Sequence, residues 1–162
     1  MEFSVQTRRL VVTSGETVAF IPALPSTAPT HSLNLPYSPS SASVHPILQD
    51  RFVTGNLGDE WVRVHGMDGE EREVFKGHHG PVHCVEFSPD GEMYASGSGT
   101  CYRWHDMRHH LMNSCNHLLF SEDGETISIC LNKAEHLTGT IRLWQTTPGK
   151  SYGLWQGHAN GG

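Results

Sequence analysis

Apolar and polar residues alternate in short runs along most of this chain. "RLVVTS" (9–14), "TVAFIPA" (17–23), "SASVHP" (41–46), "RFVTG" (51–55), "WVRVHG" (61–66), "REVFKG" (72–77), "VHCVEFS" (82–88) and "MYASGS" (93–98) place apolar side chains at nearly every second position. A period of two puts one face of each run in a core and the other in a polar setting, which predicts half-buried strands. Gly, Pro, Asp and Ser punctuate the runs and predict hairpins between them. No segment carries a sustained 3.6-residue apolar stripe, so the expectation is an all-β protein. The proline- and hydroxyl-rich stretch "PALPSTAPTHSLNLPYSPSSAS" (22–43) reads as a long surface connection with at most one short strand, near His31 to Leu35.

Three internal echoes accompany the strands. Gly77-His78 returns 80 residues later as Gly157-His158, "TCYRW" (100–104) returns 40 later as "TIRLW" (140–144), and "FSPDGEMYAS" (87–96) returns 33 later as "FSEDGETISI" (120–129). A repeat near 40 residues is the spacing of a four-stranded propeller blade. Gly-His, a strand ending in Phe-Ser-Pro-Asp-Gly, then Ser-Gly-Ser and Thr-Ile-Arg-Leu-Trp together resemble the WD40 repeat. The resemblance implies a partial WD40 β-propeller of about three to four blade-like units, each an antiparallel four-stranded sheet, not closed by this chain alone.

The resemblance also implies roles for single residues. His78, Ser96 and Trp144 stand where the family builds the buried hydrogen-bond network that pins a blade, and Trp104 and His158 are their repeat-equivalents. Asp90-Gly91 supplies the turn joining a blade's first two strands, since Gly accepts positive φ and Asp bonds nearby backbone. Val82, Cys84, Val85, Phe87, Tyr94 and Ala95 are expected to pack between blades. The family's Asp in the turn after the second strand is absent there, because "SGS" runs into "GTCYRW". Four regions follow: 1–40, a worn blade remnant with the Pro/Ser-rich connection; 41–98, blades resembling the family; 99–138, an insertion; and 139–162, the remaining strands and C-terminus. Without Gly99 to Thr138 the chain would read "YASGSGTIRLWQ", a continuous pair of second and third strands. The insertion is either a further blade-like unit or a long loop with a marginal hairpin.

Composition narrows the chemistry. Seventeen acidic against eleven basic residues, a formal charge of -6 and no basic run longer than Arg8-Arg9 leave no electrostatic reason to bind nucleic acid directly. Cys84, Cys101, Cys115 and Cys130 form no CxxC pair and Met1 to Val12 lacks an apolar leader core, so reduced thiols in an intracellular protein are expected. No apolar run is long enough to span a bilayer. "HDMRHHLMNSCNH" (105–117) collects His105, His109, His110, Cys115 and His117 near Asp106, but their spacing matches no closed zinc pattern, so a metal-binding module is a remote alternative. Ser96, His78 and Asp90 hint at a catalytic triad, yet Tyr-Ala-Ser-Gly-Ser is no nucleophile elbow, and "SGSGT" (96–100) lacks the Lys-Ser/Thr of a phosphate-binding loop. Neither a catalytic site nor a cofactor is expected.

The branch of the family most similar to this chain implies a non-enzymatic scaffold, cytoplasmic and nuclear. Its implied partners are components of the survival-of-motor-neuron complex, which assembles spliceosomal small nuclear ribonucleoproteins, together with TGF-β-type receptors and inhibitory Smad proteins. An open arc leaves apolar blade faces and strand edges in water, which favours self-association. The competing expectation is a diverged, truncated copy without a stable propeller.

Overall fold

A computed structural model describes residues 2–4, 9–22, 29–78, 80–98, 115–123, 127–131, 138–145 and 151–158. All regular structure among them is strand. The first sheet holds β1 (Glu2–Ser4), β2 (Arg9–Ser14), β3 (Thr17–Pro22) and β4 (His31–Asn34) in sequential order. The second holds β5 (Pro39–Val44), β6 (Arg51–Asn56), β7 (Trp61–Gly66) and β8 (Glu71–Lys76), again in order. In the third, β9 (Val82–Phe87) and β10 (Met93–Ser98) are joined by β13 (Thr138–Gln145) and β14 (Ser151–His158), while β11 (Cys115–Phe120) and β12 (Ile127–Leu131) make a separate two-stranded sheet. Every pairing is antiparallel.

The sheets stack face to face in chain order: β2 on β5, β5 and β6 on β9, β9 and β10 on β11. Period-two alternation supplies each seam, because successive side chains leave a strand on opposite faces. Val11, Val18 and Phe20 meet Ala42, Val44 and Phe52 in the first seam, with Leu35, Leu33, Tyr37 and Met67 packed around them. Val53, Val62 and Val64 meet Val82, Val85, Phe87 and Tyr94 in the second. The result is an open arc of propeller blades, with three four-stranded sheets and one of two strands among the described residues.

Within the 22–43 stretch the short strand expected near His31 to Leu35 is β4, at His31–Asn34; β5 opens at Pro39, two residues before the run read from 41, and Leu35 is buried between the two strands. The N-terminal region is a full four-stranded sheet rather than two worn strands, since β1 and β4 flank the expected pair. β1 and β4 are too short to carry a run of apolar alternation in sequence, and they gain order from a neighbour's ladder. Within the insertion, the described part is the β11–β12 hairpin, with Leu118 buried against its neighbours.

Candidate interaction surface

In the third sheet, His78 Nε2 and Ser96 Oγ share a buried hydrogen bond of 2.6 Å that ties the approach to β9 onto β10. Trp144 lies on β13 as the Cα partner of Tyr94, next to the Ser96–Arg142 pair. His158 is the Cα partner of Thr138 at the end of β14. The side chains of Trp144 and His158 lie outside the described residues, as does Trp104 altogether. Asp90 and Gly91 make the β9–β10 turn: the Asp90 carboxylate accepts from Ser88 Oγ at 2.5 Å and from the Glu92 backbone N–H at 3.0 Å, and Gly91 has φ +72°. A Cβ on Gly91 would sit 2.2 Å from Cε1 of His45, so the turn is also a contact with the preceding sheet. Asp90 is thereby held in the turn, while His78 and Ser96 pair with each other.

The second sheet holds a related network that sequence reading missed. Register locates it. On β10 and β13, Ser96 faces Arg142 and Tyr94 faces Trp144; on β6 and β7, Thr54 faces Arg63 and Phe52 faces His65. Thr54 thus stands at the Ser96 position, and His65 at that of Trp144. The Tyr37 hydroxyl lies between them, 2.7 Å from Thr54 Oγ1 and 2.6 Å from His65 Nε2, and does for this sheet what His78 does for the next. Asp59, in the β6–β7 loop, occupies the turn position that the third sheet lacks. The signal was available in the matched strings "RFVTGN" and "MYASGS", followed by "WVRVH" and "TIRLW".

Burial sets the electrostatics of this network. Burial raises the Tyr37 hydroxyl to about 12, so it stays protonated. Burial also lowers His65, which therefore remains neutral and accepts or donates by tautomer. Arg63, itself buried, donates from Nη1 to Asp59 at 3.2 Å and pairs through Nη2 with the other Asp59 oxygen and through Nε with Glu71 at 3.0 Å. Burial opposes ionisation of Asp59, but the Arg63 bond and the Trp61 backbone N–H together hold its carboxyl below the usual range. The guanidinium also covers the Tyr37 ring, its Cζ 4.2 Å from the centroid.

An aromatic stands at the edge of this network. Trp61, half-buried at the start of β7, lies 4.9 Å from Arg63 Cζ and 3.9 Å from Lys76 Nζ, so two cations bracket its ring. Leu57, 49% exposed, stands in the same β6–β7 loop, where Glu60 adopts φ +65°. Ile47 and Leu48, 63% and 61% exposed, project from the β5–β6 loop. A Trp and an Arg held beside an exposed Leu in the adjoining loop are the residue types that concentrated protein-binding surfaces use. No metal-holding cluster occurs among the described residues; of the 105–117 histidines only His117 is among them with its side chain, and it is exposed. No helix among them is long and apolar enough to cross a membrane.

Residues 69–106 match the family described as WD domain, G-beta repeat. Over 159 residues the chain is 38% identical to the serine-threonine kinase receptor-associated protein of Bos taurus, covering 96% of this chain and 33% of that protein. It is 38% identical over 156 residues to the protein of that name from Homo sapiens, and 46% identical over 110 residues to the one from Dictyostelium discoideum. The chain therefore spans about a third of the length of these relatives. Among solved structures, Kuenenia stuttgartiensis Hydrazine Synthase superposes with a TM-score of 0.58 at 16% identity, over 93% of this chain and 46% of that one; at such identity the likeness concerns the fold alone.

Proposed function

We propose, for a chain that carries the WD40 repeat and is similar over nearly its whole length to serine-threonine kinase receptor-associated proteins, the role of a non-enzymatic scaffold. Its seams are consumed by packing and by the two blade networks, leaving loops and strand ends to do the binding. The observation that carries this reading is Trp61, whose ring lies against Lys76 and the buried, ion-paired Arg63, with Leu57 exposed in the adjoining loop. Such pre-organisation lowers the ordering cost of association.

The relatives' name supplies the first partner to try, the cytoplasmic kinase domain of a serine-threonine kinase receptor. The resemblance extends the proposal to TGF-β-type receptors, inhibitory Smad proteins and the survival-of-motor-neuron complex, and to residence in cytoplasm and nucleus. No cofactor enters the role. The purified chain, titrated with a TGF-β-type receptor kinase domain in biolayer interferometry, is expected to bind. Trp61→Ala should weaken that binding by about tenfold or more, as loss of a central aromatic anchor does, whereas Leu48→Ser on the other loop should not. Equal binding by Trp61→Ala and the parent chain would remove this surface from the proposal.

The split third sheet favours a second reading, a diverged copy that does not hold a stable arc. It predicts aggregated or polydisperse material on size-exclusion chromatography, where the scaffold reading predicts a discrete species.

A further inference from the structure

The β11–β12 hairpin repeats β9–β10 in detail. Phe120 is the Cα partner of Ile127 as Phe87 is of Tyr94. Both ladders then skip one residue of their first strand at matching places, Asn116 and His83, and β5–β6 skips Ser40 there too. Both turns use the same chemistry, with Ser88 donating to Asp90 and Ser121 donating to Asp123. Docking matches as well: Ser43 Oγ accepts the Phe87 N–H at 3.0 Å, and a Glu86 carboxylate oxygen accepts the Phe120 N–H at 3.1 Å. Ser43 and Glu86 are equivalent positions, being the partners of Val53 and Ala95. The inserted hairpin is therefore seated as the first and second strands of a blade.

In such a blade the far edge of the second strand receives the third. β7 pairs there with β6, and β13 pairs there with β10. The equivalent edge of β12 carries no ladder among the described residues. In the chain β13 follows β12, not β10: residues 132–137 separate Leu131 from Thr138, whereas residues 99–137 separate Ser98 from Thr138. A six-residue link is an ordinary connection within a blade and holds the strand pair at high effective concentration beside β12.

We propose that the outer edge of β12 is a second binding site for the β13–β14 pair, which exchanges between β10 and β12 within one chain. The exchange swaps one antiparallel ladder for another and leaves the β13–β14 ladder intact. By register Ser96, bonded to His78, stands on the β10 edge where Ile129 stands on β12, and that polar anchor is what distinguishes the two homes. The inference concerns the fold of the chain and stands whether or not the receptor kinase domain binds.

Paired cysteines test it in the full chain with its four native cysteines changed to alanine. Ala95→Cys with Leu143→Cys joins the Cα partners of the observed ladder; Ser128→Cys with Leu143→Cys joins their counterparts in the exchanged one. Under a glutathione redox buffer, both pairs are expected to close within single chains, the second more slowly. Closure of the first pair alone, or closure of the second only between chains, overturns the proposal. Should the substituted chains not fold, amide exchange of the unmodified chain decides. Partial protection shared by the 93–98 and 127–131 segments supports exchange, and free exchange along the outer edge of 127–131 refutes it.

Discussion

Arg63 reaches the first seam through the Tyr37 ring that packs there. It is a buried cation satisfied by Asp59, Glu71 and the Tyr37 ring, so its removal strands Asp59 in a half-buried site. Arg63→Ala should cost about 2 to 4 kcal/mol in a denaturation experiment, and Arg63→Lys should recover only part, because an ammonium cannot serve two carboxylates in a planar fork. Glu86, a half-buried carboxyl, predicts a pH dependence. Burial raises its carboxyl to about 7, an effect the Phe120 N–H only partly offsets. A folded-state pKa above the unfolded value means that the docked hairpin binds the proton more tightly. Its stabilisation is complete below about pH 4.5 and is lost as pH rises through about 7. Amide protection at Leu118 should accordingly fall between pH 5 and 8, and Glu86→Gln should flatten that profile. Of these residues the sequence exposed His78 and Ser96 through a motif, but not Tyr37, Thr54 or His65. There a tyrosine does a histidine's work and a histidine a tryptophan's, so the letters differ while the bonds agree.

Strands and turns form the next scale, and here alternation was most informative. The eight runs read from period two all lie on observed strands, because each has one face to bury and one to spare. Less legible were β1, which sequence reading missed, and β4, read only as a short strand near His31 to Leu35; both take their order from ladder partners. The β9–β10 turn shows how an element couples to its neighbour. Gly91→Ala combines a positive φ with a clash against the His45 ring, and should lower the melting temperature by more than Gly15→Ala. Gly15 also has positive φ but meets nothing within 4 Å, so the difference isolates the contact. A double-mutant cycle of Tyr37→Phe and Thr54→Val should show coupling of about 1 kcal/mol, since each change alone removes the same buried hydroxyl–hydroxyl bond.

At the scale of the molecule, the open arc has a first sheet with one face spent and one not. Val11, Val18 and Phe20 fill the first seam. Leu10, Val12, Ala19 and Ile21 leave the sheet on the opposite side, paired Leu10 with Ile21 and Val12 with Ala19, and remain partly exposed. They stand at the positions of Phe52, Thr54, Arg63 and His65, so the polar network of the second sheet is replaced here by an apolar face. Water against such a face favours association. Light scattering should find the chain self-associated at micromolar concentration, and Val12→Lys should raise the monomer fraction without loss of far-ultraviolet β signal.

The sequence by itself determined the strand content, the main turns, the repeat and the His78–Ser96 pair, because these rest on local alternation, positive-φ glycines and a repeated motif. Only the tertiary structure decided that Tyr37 reaches Thr54 and His65 across a loop, and that Arg63 neutralises two acids from different elements. The pairing of β13 with β10 was legible once Gly99 to Thr138 was set aside, but only the structure decided between the two readings of the insertion, by docking its hairpin in blade register. Those choices depend on which faces meet and which edges stand open, and strands of equal pattern compete for the same edge until packing selects among them.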